Sequence, residues 1–135
     1  MDSLRIFESL DFLYVPAPDI DSSIDYYRNI LGGKLKWKIH AYGVWVACIM
    51  LTRSEPYLLL ANHFDKKGPM QIYRVTDLNR TISELRSRGW KEEDELEIPL
   101  GPCYTCSDPA NNFIAIYENK RPNVMKEFEC RVDFK

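Results

Sequence analysis

One pattern occurs twice in this chain. Residues 15–28 read VPAPDIDSSIDYYR and residues 74–86 read RVTDLNRTISELR, and they align at a constant separation of 58 residues, Asp19 to Asp77. Ile20 then matches Leu78, Ser23 matches Thr81, Ile24 matches Ile82, Tyr27 matches Leu85 and Arg28 matches Arg86. A repeat at this spacing means one supersecondary unit built twice, which excludes most architectures open to a chain of 135 residues. In each copy an apolar stretch leads to an Asp able to cap a helix by accepting backbone N–H groups. Apolar residues follow at helical spacing, Ile20, Ile24, Tyr27 and Leu31 in the first copy and Leu78, Ile82 and Leu85 in the second. Each helix is expected to stop at glycine, Gly32-Gly33 and Gly89.

Strand signals surround both helices. Asp11 to Val15 and Met70 to Val75 precede them. Leu35, Trp37 and Ile39 alternate with Lys34, Lys36 and Lys38, predicting a strand with one solvated lysine face. Val44 to Leu51, apolar on both faces, predicts a central strand, and Pro56 to Ala61 a fourth. The second half offers Trp90 to Ile98, Tyr104 to Cys106 and Phe113 to Tyr117. The acidic run Lys91-Glu92-Glu93-Asp94-Glu95 suits an edge that discourages aberrant pairing. Each half therefore reads β-α-β-β-β, an α+β chain. The expectation is a single domain over 1–135, with module one about 10–62, module two about 69–118 and an extension 119–135. Val124, Met125, Phe128, Val132 and Phe134 make that extension too apolar for a free tail.

Charge narrows the function. Lys plus Arg number 18 and Asp plus Glu 20, for a net charge of −2. Nucleic-acid binding needs a clustered basic footprint, and a charge-driven membrane role needs a basic face, so neither partner is expected. No apolar run approaches the ~20 residues of a spanning helix, and the first residues lack the order of a secretory signal. A cytoplasmic protein is expected, with thiols rather than disulfides at Cys48, Cys103, Cys106 and Cys130. Cys103 and Cys106 have C-x-x-C spacing, but turn residues flank them and no second pair completes a zinc set. No phosphate-binding glycine loop and no nucleophile–histidine grouping is legible.

The tandem repeat resembles the vicinal oxygen chelate superfamily of glyoxalases, extradiol dioxygenases and bleomycin-resistance proteins. The matching words are Pro18 through Tyr27 with Leu31-Gly32, and a closing turn at Asp108-Pro109-Ala110-Asn111-Asn112 in which Asn111 stands where glycine is usual. The resemblance covers about residues 10–118. It implies tandem βαβββ modules forming a cup-shaped, curved mixed sheet with helices on the outside. It also implies metal ligands on the cavity strands, at positions that fall here on Phe12, Met70 and Ala115. Phenyl, thioether and methyl groups do not ligate a divalent metal as carboxylate or imidazole does. No metal, no cofactor and no catalytic residues are therefore expected, and the chain is not expected to be a metal enzyme. His63, Glu55 or Glu118 would have to supply the ligands if one were present, and Asp11 and Gln71 are expected to face away from the cup.

Strand alternation would put Phe12, Tyr14, Met70, Ile72, Arg74, Phe113, Ala115 and Tyr117 on the concave face. That lining suits an amphipathic or aromatic small molecule whose negative or carbonyl end meets Arg74, held as bleomycin-resistance proteins hold their ligands. Simple packing of the same side chains into a closed core is the competing reading. Trp37, Trp45 and Tyr42 are further aromatic candidates. The alternative function is a divalent-metal-dependent glyoxalase or extradiol-dioxygenase-like enzyme. A homodimer is expected, its tail packed on its own cup or its partner's.

Overall fold

In the computed structural model, residues 6–41, 43–63 and 68–133 are described. They form β1 (Ser9–Pro16), α1 (Ile20–Asp25) running into a π-helical turn (Tyr26–Ile30), β2 (Lys34–Ala41), β3 (Val44–Met50) and β4 (Tyr57–Ala61). The second copy follows as β5 (Met70–Val75), α2 (Leu78–Ser87), β6 (Asp94–Ile98), β7 (Gly101–Ser107) and β8 (Phe113–Glu118), and α3 (Val124–Phe128) closes the chain. Contacts divide it into two compact units, residues 12–69 with 125–135, and residues 1–11 with 70–124.

Both units have the same topology, which is the repeat made visible. In the first, the strand order is β2-β3-β4-β1, with β1 and β4 parallel and the other pairs antiparallel. In the second it is β6-β7-β8-β5, with β5 and β8 parallel. The fold class is α+β, with tandem βαβββ modules.

The predicted caps are present. Asp19 Oδ1 accepts the Ser22 N–H at 3.2 Å and Asp77 Oδ1 accepts the Arg80 N–H at 3.1 Å. Gly32 and Gly89 take φ of 77° and 94°, the left-handed turn that ends each helix. Ile20 and Ile24 of α1 are buried with Ala47, Ile49 and Leu60, and Val15, Tyr27 and Leu58 pack against them. Leu78 and Ile82 of α2 pack with Val75 and Ile116, flanked by Phe7, Leu85 and Trp90. Each unit thus covers one sheet face with its helix.

Two expectations fail on backbone geometry. Leu31 is 48% exposed, off the apolar helix face. The π turn carries the bond from Leu31 N–H to Tyr26 O across five residues, so the α period breaks before Leu31 is reached. The lysine stripe also divides. A bulge between Leu35 and Trp37 sends Leu35 to the α1 side, while Trp37 and Ile39 face the opposite side with Cys48. Lys38 Nζ lies 2.7 Å from Asp21 and 4.9 Å from the Trp45 ring centroid, and Lys36 Nζ lies 4.8 Å from that of Tyr57. With its side chain only 12% exposed, Lys38 belongs to no solvated face.

Residues 125–133 of the extension belong to the first unit. Met125 and Phe128 of α3 pack on the Trp37–Ile39–Cys48 cluster, the Phe128 ring 5.3 Å from that of Trp37. Beyond α3, Cys130 N–H donates to Lys36 O at 3.0 Å, Lys38 N–H to Arg131 O at 2.8 Å and Asp133 N–H to Lys38 O at 2.9 Å. The tail therefore packs on its own module, over the sheet face that α1 leaves open. Phe134 and Tyr42 lie outside the described residues.

Candidate functional site

In the second unit, parallel pairing sets Met70 beside Phe113, Ile72 beside Ala115 and Arg74 beside Tyr117. Alternation puts these six side chains on one sheet face, opposite the face that α2 covers. From β7, Cys103 stands beside Tyr117 and Thr105 beside Ala115 on that same face. Ile72, Ala115 and Tyr117 are buried, whereas Met70, Arg74 and Phe113 are half-buried. The first unit carries the other two expected residues, Phe12 beside Tyr57 and Tyr14 beside Leu59. Phe12 is buried, and Tyr14 is half-buried with its hydroxyl 3.3 Å from His63 Nε2. Burial pushes the Tyr14 phenol up to about 12, so this hydroxyl stays protonated at neutral pH.

The polar core of the second-unit face is a cluster in which Asp11 was expected to point away. Instead its carboxylate, 6% exposed, accepts the Tyr117 hydroxyl on Oδ2 and the Ser9 hydroxyl on Oδ1. Arg74 Nε lies 3.7 Å from Asp11 Oδ2 and 3.6 Å from Glu8 Oε2. The Glu8 carboxylate also accepts the Thr76 hydroxyl, and Glu8 N–H donates to Arg74 O at 2.8 Å. The physical reason lies in the ladder. The β1–β4 register begins at Phe12, so Asp11, though within β1, has no partner on β4. Gln71 does turn to the α2 side, where its Oε1 accepts the Tyr73 hydroxyl at 2.6 Å. Arg74 is thus a cation already flanked by two carboxylates, its side chain still 39% exposed. Such a group offers hydrogen-bond donors to a ligand more than it offers net positive charge.

The family's metal does not fit the mapped positions. Phe12, Met70 and Ala115 present carbon and thioether surfaces, and the strand neighbours Tyr57, Ile72 and Phe113 add no anionic ligand. Among the described residues no group of three or more His, Cys, Asp or Glu side chains converges. The reserve ligands are also engaged or apart. Glu118 Oε1 accepts the Leu78 N–H at 2.8 Å at the start of α2, and Glu55 sits in an exposed bend before Pro56.

Cysteine chemistry does not fit the C-x-x-C pair either. Cys103 pairs with Tyr117 and Cys106 with Ile114, and residues three apart on a strand point to opposite faces. Both thiols are free, and burial pushes Cys103 up to about 12, far from a reactive thiolate.

The closing turn behaves as its sequence suggests. Asp108 Oδ1 accepts the N–H groups of Ala110 and Asn112, each at 2.9 Å, and Asn111 takes φ of 66°. The Asn112 side-chain amide, backed by these backbone donors, holds the Asp108 carboxyl below its usual range.

With this geometry in hand, comparison with known proteins places the chain. The family model described as Glyoxalase/Bleomycin resistance protein/Dioxygenase superfamily matches residues 9–116. No protein of curated function matches. Among solved structures, methylmalonyl-CoA epimerase from Mycobacterium tuberculosis is 22% identical with a TM-score of 0.73, over 90% of this chain and 95% of that one. Methylmalonyl-CoA epimerase from Streptomyces coelicolor, in complex with 2-nitronate-propionyl-CoA, is 15% identical with a TM-score of 0.66, over 84% and 99%. A catechol 2,3-dioxygenase is 14% identical with a TM-score of 0.64, over 85% of this chain and 42% of that one. At such identities the likeness shows the fold. No helix among the described residues is long and apolar enough to cross a membrane.

Proposed function

Because the chain belongs to the Glyoxalase/Bleomycin resistance protein/Dioxygenase superfamily, we propose that it is a binding protein within it. In this reading the protein sequesters a small amphipathic or aromatic molecule without metal chemistry, and residues 1–135 work as one domain. The observation that carries this reading is the chemistry of the mapped ligand positions, where Phe12, Met70 and Ala115 offer no oxygen or nitrogen. What replaces them is apolar surface: Met70 and Phe113 half-buried on one sheet face of the second unit, Phe12 and Tyr14 on β1 of the first. An apolar wall with few polar groups is the usual composition of a small-molecule site. Arg74, flanked by Glu8 and Asp11, favours a ligand whose polar end is a carbonyl over one bearing a full negative charge.

The test is metal analysis followed by titration. Protein purified without chelator should hold less than stoichiometric zinc, iron, manganese or nickel, and aromatic carbonyl compounds should quench tryptophan fluorescence saturably. Arg74→Gln should weaken that binding, and Met70→Ala should weaken it through lost apolar contact. One tightly held metal per chain would overturn the reading.

The enzyme alternative, a divalent-metal glyoxalase or dioxygenase-like activity, is supported by the solved structures of like fold, methylmalonyl-CoA epimerase and catechol 2,3-dioxygenase, and by the His63 imidazole beside Tyr14. It requires a metal that is lost on His63→Ala. A homodimer is part of the proposal, and sedimentation should report about twice 15.9 kDa.

A further inference from the structure

The tail, β2 and the π turn border an open cleft of about 310 Å³ in the first unit, lined by Arg28, Lys34, Leu35, Lys36, Glu129, Cys130 and Val132. Three cationic residues and one anionic residue converge there, in a chain whose net charge is −2. Arg28 and Lys34 are exposed, and among the described residues neither they nor Lys36 has an ion-pair partner. Lys36 holds its ammonium over the Tyr57 ring, and its carbonyl accepts the Cys130 N–H at 3.0 Å. Cation convergence of this kind, three positive side chains against the single carboxylate of Glu129, is the electrostatic complement of an anion.

We propose that this cleft binds a small phosphate-bearing molecule, with Arg28 and Lys34 as its principal charge partners. Arg28 offers a planar fork suited to phosphate oxygens, and Lys34 a mobile point charge. Three of the seven lining residues come from the tail, three from β2 and one from the π turn, so the site exists only while the tail is docked. Binding therefore stabilises the docked tail by mass action, in proportion to how far the ligand exceeds its Kd.

Cys130 provides the reporter. It lines the cleft and is exposed, while Cys48, Cys103 and Cys106 are buried. The full chain is alkylated with uncharged iodoacetamide, and the rate at Cys130 is read by mass spectrometry with and without inorganic pyrophosphate. Ionic strength is held constant with sodium chloride so that bulk screening is the same in both arms. Pyrophosphate at about ten times its Kd should slow labelling about tenfold. The double substitution Arg28→Gln with Lys34→Gln should abolish protection, and Lys34→Arg should keep it. Both positions are exposed, and an unchanged urea midpoint shows that the double variant is folded. Binding to Cys130→Ser, followed by calorimetry, checks the same site without the thiol. Labelling unaffected by pyrophosphate up to about 10 mM, a Kd weaker than any useful affinity, would overturn the proposal. Protection that persists in the double variant would overturn it equally.

Discussion

Replacing Tyr117 by Phe isolates one interaction whose size follows from its surroundings. The ring is 1% exposed and stays in place, so packing changes by a single oxygen. That oxygen donates to Asp11, itself 6% exposed. Hydrogen bonds to charged groups contribute about 1.5–3 kcal/mol, and a buried carboxylate stripped of one donor also keeps its desolvation penalty. Ser9 and the more distant Arg74 Nε remain, which holds the loss near the lower half of that range. The expected destabilisation is about 2 kcal/mol, read as a drop in Tm of about 6–10 °C for a chain of this size. Tyr73→Phe is the control, since its half-buried hydroxyl meets the neutral Gln71 Oε1 and should cost only about 0.5–1 kcal/mol. Urea unfolding with an unchanged slope measures both. In a double-mutant cycle, Asp11→Asn with Tyr117→Phe should show a coupling of at least about 1 kcal/mol. A Tyr117→Phe loss below about 0.5 kcal/mol, or additive effects of the two substitutions, would refute the view that this hydroxyl is a principal partner of the buried Asp11 side chain.

Two further outcomes are expected. Asp77→Ala removes the acceptor for the Arg80 N–H and should lower stability by about 1 kcal/mol, measured by urea denaturation, with Asp77→Asn recovering most of it. The Asp133 carboxyl is held down to about 2 by Arg131, with the His40 N–H adding to it. Its folded value lies below the unfolded one, so this contribution is present above about pH 4 and lost as pH falls towards 2. Carboxyl chemical shifts should titrate near pH 2, and Asp133→Asn should flatten the acid limb of tail docking.

The repeat was legible because its signals are local. A capping Asp, apolar residues at helical spacing and a terminal glycine each act within a few positions, and both copies contain all three. The strands flanking them were legible for the same reason, including the alternation that sets Met70, Ile72, Ala115 and Tyr117 on one face. What escaped depends on distant partners. Asp11 turns towards Tyr117 across a separation of 106 residues, which no alternation rule contains. The bulge after Leu35 is a two-strand event, visible only where β2 meets β3. Helix α3 has five residues, too short to be stable alone, and exists through the packing of Met125 and Phe128 on the Trp37–Ile39–Cys48 cluster. Of the site itself, the missing metal ligands were readable as residue types, whereas the countercharges around Arg74 were not.

The tail's three backbone bonds to Lys36 and Lys38 have a consequence for solubility. β2 is the last strand of its ladder, and its outward N–H and C=O groups would otherwise offer a template to any extended chain. Here the protein fills that template with its own residues 130–133. At the end of the other ladder, β6 relies on Asp94, Glu95 and Glu97, whose exposed charges repel a would-be partner strand. One margin is guarded by charge and the other by covalently attached chain. Losing the last dozen residues would therefore do more than weaken packing. It would leave an unpaired strand beside uncovered Trp37, a growing end for intermolecular sheet formation.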